Sequence, residues 1–111
     1  MPQLNPNRLL PLEDFLPAVA FLARSLSDEN RLRILLCVSE AKKSVSGIVE
    51  ELNLSQPLVS HHLKELRRAL LVRVERRGPF VYYELADPRI MKILAALQDL
   101  ATDLLAARTS F

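Results

Sequence analysis

The chain has 111 residues, half hydrophobic and a quarter charged, a composition that fits one globular domain and excludes a disordered one. Its longest apolar runs, such as AVAFLA, are too short to span a bilayer, its first residues lack the pattern of a secretory signal, and its single cysteine excludes an internal disulfide, so a cytoplasmic protein is expected. The net charge of +2 is unevenly spread: residues 55–79 carry six basic against two acidic side chains, and the remainder 9 against 11.

In chain order, residues 1–11 hold Pro2, Pro6 and Pro11 and read as an irregular arm, leaving 12–108 as the folded domain. Leu12, Phe15, Leu16, Val19, Leu22, Ala23 and Leu26 form a helical stripe over 12–26, with Pro17 in or near its first turn. Ser27 is expected to cap the next helix, DENRLRILLCVSE, whose first turn carries Asp28 and Glu29. Ser44 should cap a short helix, VSGIVEELN, and Ser55 the following one, with Pro57 in its first turn. Two amphipathic helices joined by a few residues form a helix-turn-helix pattern.

The period then changes to two. Val72 and Val74 alternate with Arg73 and Glu75. After Gly78-Pro79, Val81, Tyr83 and Leu85 alternate with Phe80, Tyr82 and Glu84, so 72–85 reads as a hairpin, or wing. Asp87 and Pro88 open a last helix over 88–108, striped by Ile90, Ile93, Leu94, Leu97, Leu100, Ala101, Leu104 and Leu105. The expected fold is mainly α with a two-stranded β-hairpin: a winged helix-turn-helix in the order α-α-α-α-β-β-α. The terminal stripes, 12–26 and 88–108, are longer than such a core needs, so a homodimer joined through them is expected.

At ~100° of rotation per residue, Val59, Leu63, Leu66 and Leu70 fall in one sector, the expected buried face of the helix over 56–69. His61 lies opposite, beside Pro57, Lys64 and Arg68, while His62 flanks the apolar face as a half-buried structural histidine. Gln56, Ser60 and His61 stand where a recognition helix meets base edges in the major groove. Lys64 and Arg68, with Arg76 and Arg77 at the wing, suit phosphates. With the cap Ser55 and Pro57, these residues are the expected contact set for double-stranded DNA. The local positive charge agrees with it, although a solvated helix face would look similar by charge alone. Neighbouring histidines on one helix point apart and cannot chelate one ion. His61 and Glu65 could share an ion, but no cluster elsewhere completes a shell. No metal site and no cofactor are expected.

The runs LSDENRLRILLCV and LNLSQPLVSHHLKELRRALLVRVERRGPFVYYEL, followed by DP, resemble the ArsR/SmtB family of bacterial winged-helix repressors over about residues 24–94. The resemblance implies a homodimer packed through its first and last helices, which releases operator DNA when an inducer binds. It puts Gln56, Pro57, Ser60 and His61 on the family's base-reading positions. Two-fold symmetry would match an inverted-repeat operator. The chain departs from the family where metal sensors bind their ions. Ser44 and Ser46 replace a Cys-x-Cys-like pair, and serine hydroxyls are poor ligands for soft metals. Asp87 is present near the last helix, but PRIMKILAALQDLATDLL has no histidine. A non-metal inducer, such as a small molecule, is therefore expected. Cys37 reads as an inert core thiol; a thiol- or arsenite-responsive repressor using it is the alternative, as is a winged-helix protein-interaction module. Catalysis is not expected, since no nucleophile or carboxylate converges on either histidine and the chain has two glycines.

Overall fold

In the computed structural model, which describes residues 12–108, a 3₁₀ turn (Leu12–Phe15) leads into α1 (Leu16–Ser25). Then come α2 (Glu29–Glu40), α3 (Val45–Leu52), α4 (Gln56–Arg68), β1 (Val72–Arg77), β2 (Phe80–Leu85) and α5 (Arg89–Ala107). The expected arm at 1–11 lies outside the described residues. The architecture is a winged helix-turn-helix: α3 and α4 form the motif and the β1–β2 hairpin the wing.

Local chemistry explains most element ends. Pro17 sits in the first turn of α1, where its missing N–H costs no hydrogen bond. Ser44 and Ser55 cap α3 and α4 by accepting from the N–H groups of Gly47 (3.1 Å) and Leu58 (3.3 Å). The cap of α2 differs from expectation. Asp28, not Ser27, holds it, its Oδ1 accepting from the N–H groups of Asn30 (2.8 Å) and Arg31 (3.0 Å). A carboxylate is the stronger partner for the positive end of the helix dipole. The Ser27 hydroxyl donates backwards instead, to the Arg24 carbonyl at 2.7 Å. Before α5, the Asp87 carboxylate accepts from the N–H of Arg89 (2.8 Å).

The core is one cluster in which Ile34, Leu35, Cys37 and Val38 of α2, Ile48 of α3, and Val59, Leu63 and Leu66 of α4 are buried. The expected inward position of Leu70 is overturned. α4 ends at Arg68, and Leu70 adopts a left-handed conformation (φ 61°) with 80 % of its surface exposed. Its N–H donates to the Arg67 carbonyl (3.0 Å) and that of Leu71 to the Leu66 carbonyl (2.9 Å), the paired bonds of a Schellman termination. The turn carries Leu71 and Val72 into the core in place of Leu70.

The wing pairs in antiparallel register, Val72 with Leu85, Val74 with Tyr83 and Arg76 with Val81 on one face, Arg73 with Glu84, Glu75 with Tyr82 and Arg77 with Phe80 on the other. Gly78 supplies the positive φ (59°) that a two-residue hairpin turn requires. The hairpin is also anchored by a short bridge absent from the sequence reading. Lys43 and Tyr83 exchange backbone hydrogen bonds of 3.0 and 2.8 Å, tying β2 to the loop between α2 and α3.

Left-handed backbone costs a branched residue ~1–2 kcal/mol, more than glycine loses in chain entropy. Leu70→Gly is therefore expected to raise unfolding free energy by about 0.5 kcal/mol. Urea denaturation measures it; a clear loss would mean that Leu70 makes an apolar contact the chain needs.

Candidate nucleic-acid interface

The buried side of α4 fixes its outer side. With Val59, Leu63 and Leu66 at 0–1 % exposure, the face of Gln56, Pro57, Ser60, His61, Lys64, Arg67 and Arg68 turns to solvent, as does the cap Ser55. The sequence reading left out Arg67, which counts in the local charge but falls beside the wheel's outer sector. Arg68 leans on Glu65, Nη1 to Oε1 at 3.4 Å. Lys64 and Arg67 have no ion-pair partner among the described residues.

On the wing, Arg76 and Arg77 part company. Arg77 shares its face with Arg73, Glu75 and Glu84, and its Nε donates to Glu75 at 3.0 Å. Arg73 pairs with Glu84 at 2.7 Å, and Lys42 reaches across from the α2–α3 loop to Glu75 and Glu84. The hydrogen bond from Lys42, then that from Arg77, holds the Glu75 carboxyl below the usual range. Arg76 faces the other way, exposed, with no ion-pair partner among the described residues. Exposed pairs contribute ~0–1 kcal/mol, so the pair at Arg77 can exchange its carboxylate for a phosphate at small cost.

The two histidines separate as the wheel implies, with one refinement. His61 is exposed, whereas His62 is 5 % exposed, buried instead of half-buried. Their ring centroids lie 5.5 Å apart with planes inclined at 56°. His62 Nε2 is 3.7 Å from Asp28 Oδ1, and its Nδ1 is 3.5 Å from Arg31 Nη1. Burial pushes the His62 titration down; Asp28 opposes this, and Arg31 and His61 add to it.

Over residues 28–74 the chain matches the family described as "Bacterial regulatory protein, arsR family". It is 39 % identical over 84 residues to the HTH-type transcriptional repressor SmtB of Mycobacterium tuberculosis, a match covering 76 % of this chain and 62 % of that repressor. It is 33 % identical over 91 residues to the nodulation protein NolR of Rhizobium meliloti, covering 82 % and 74 % of the two chains. The chain belongs to the ArsR family. The crystal structure of NolR from Sinorhizobium fredii superposes with a TM-score of 0.73 at 28 % identity, over 90 % of this chain and 96 % of that one. ArsR-family proteins are regulators, not enzymes.

The two serines that the sequence resemblance sets where metal sensors carry a Cys-x-Cys-like pair lie together at the start of α3. Ser44 caps α3, and its hydroxyl lies 3.2 Å from that of Ser46. Among the described residues no group of three His, Cys, Asp or Glu is placed to hold a metal ion. Cys37 is buried, and its thiol is pushed up to about 12 by burial and then by hydrogen bonding to the Glu51 carboxylate. It carries no thiolate at neutral pH. No helix among the described residues is long and apolar enough to cross a membrane.

The fold takes His62 neutral. As pH falls below the ordinary value of 6.5, the unfolded chain protonates before the folded one, so stability is full above that value and declines below it. The melting temperature is expected to fall as pH is lowered below about 6.5, above the carboxylate range. His62→Gln should flatten the fall. An unchanged slope in that variant would remove His62 as the cause.

Proposed function

We propose that this ArsR-family chain is a homodimeric, sequence-specific DNA-binding repressor that sets α4 in the major groove and the hairpin against the neighbouring backbone. The observation that carries the reading is the uncovered outer face of α4, where Gln56, Ser60 and His61 precede the cations Lys64, Arg67 and Arg68 along one exposed strip. Gln56 has the donor–acceptor pair that matches adenine, while Ser60 and His61 can donate to base acceptors or phosphate. Ser55 and Pro57 set the helix start, and Lys64, Arg68, Arg76 and Arg77 supply charge to phosphates. The names of the relatives, a repressor among them, favour the same reading.

The dimer rests on apolar surface. α1 buries no residue and α5 only Ile90; Phe15, Leu16, Val19, Leu22, Ile93, Leu97, Leu100 and Leu104 are all 41–57 % exposed. Two helices with bare stripes at the two ends of one chain fit a second copy, and a two-fold axis would pair the α4 helices on an inverted repeat. For the inducer we favour a non-metal signal, such as a small molecule, because Ser44 and Ser46 stand in place of the thiolates of one usual family site and the last helix has no histidine for the other.

Selection from random duplexes, followed by gel shift across salt concentrations, tests the reading; absence of a sequence-dependent, salt-sensitive shift removes it. His61→Ala is expected to cost ~1–3 kcal/mol of specific binding with the melting temperature unchanged. His62→Ala should instead lower the melting temperature, and equal loss of stability in both would contradict their division of roles. Leu97→Glu with Leu100→Glu should convert the dimer to monomer in sedimentation velocity and abolish specific binding. A dimer of unchanged affinity would place the interface elsewhere.

A further inference from the structure

We infer that Arg31 is a positioning residue that ties the DNA-facing helix α4 to helix α1, with His62 as the relay; this deepens the proposed function and rests on it for the DNA readout alone. Arg31 lies in the first turn of α2, and its guanidinium reaches two other helices, α1 and α4. Nε donates to the Ser25 carbonyl at 2.8 Å, Nη2 to the Arg24 carbonyl at 3.2 Å, and Nη1 faces His62 Nδ1 at 3.5 Å. The two carbonyls belong to the last turn of α1, and that of Arg24 also accepts from the N–H (3.1 Å) and the hydroxyl (2.7 Å) of Ser27.

A guanidinium only donates, so His62 Nδ1 must accept, and the ring proton belongs on Nε2. That nitrogen faces Asp28 Oδ1, itself fixed by the N–H groups of Asn30 and Arg31. The start of α2 thus grips both edges of one buried imidazole from α4. Among the described residues little else joins α1 to α4. A cleft of about 210 Å³, lined by Phe21, Arg24, Ser25, Arg31 and Glu65, opens between them, and α1 buries no side chain of its own. The other charged or titratable groups that act on His62 are Asp28, Arg31 and, from its own helix, His61. Movement of α1 therefore reaches α4 through this strut.

The test compares the full chain with Arg31→Met, which keeps the stem and removes the donors, and Arg31→Lys, which keeps the charge but cannot span three acceptors. ¹⁵N imidazole shifts should show a single Nε2–H tautomer for His62 in the parent protein. In Arg31→Met the His62 titration should move up, with Asp28 still facing the Nε2–H. Affinity for the selected duplex should fall at least tenfold, with salt-driven binding to random duplex unchanged. Arg31→Lys should not restore it. A parent Nδ1–H tautomer, a His62 titration unmoved in Arg31→Met, duplex affinity within twofold of the parent, or full rescue by lysine would each overturn the inference. The parent tautomer decides the matter even should Arg31→Met fail to fold. If the parent protein shifts no duplex, the DNA reading fails, while the imidazole readout still judges the strut.

Discussion

Everything on the outer surface of α4 depends on one inner contact, the seating of Val59, Leu63 and Leu66 against α2 and α3. Each of these side chains is essentially sealed from water, and burial of a residue of that size is worth ~1.5–3 kcal/mol. The exposed ion pairs nearby contribute a fraction of that. Helix orientation is therefore set by apolar packing, and the polar side chains opposite are free of structural duty. Ser60, His61 and Lys64 can meet a partner because the fold does not use them.

The positive charge between residues 55 and 79 is divided into two populations. Arg68 is paired with Glu65, and Arg73 and Arg77 are engaged with Glu84 and Glu75, with Lys42 closing the network from another loop. Lys64, Arg67 and Arg76 have no ion pair among the described residues. A single count of basic residues merges these groups. The network holds the wing's outer face in order, whereas the unpaired cations dominate the field felt by an approaching polyanion.

The hairpin and two of the helix caps were legible in the sequence because their signals are local: alternation with period two, a Gly-Pro turn, a serine ahead of an apolar run. The sector holding His61 was legible for the same reason, since helical rotation needs no knowledge of the partner surface. Three features were not. Asp28 and Ser27 are adjacent cap candidates, and the choice favours a carboxylate that also meets His62 on a distant helix. Leu70 fits the helical period, but the helix stops before it in a left-handed turn without the glycine that would have announced it. Arg31 looks like one of two ordinary arginines in α2 until the fold brings the end of α1 and His62 to its tip.

The bridge between Lys43 and Tyr83 is made of main-chain atoms alone. An amide and a carbonyl belong to nearly every residue type, so the attachment tolerates replacement of the side chains around it, proline excepted. The attitude of the wing is in this way separated from its composition. Descendants of this sequence can vary the side chains presented at Arg76, Arg77 and Phe80, and with them the surface recognised, without rebuilding the joint that aims the hairpin.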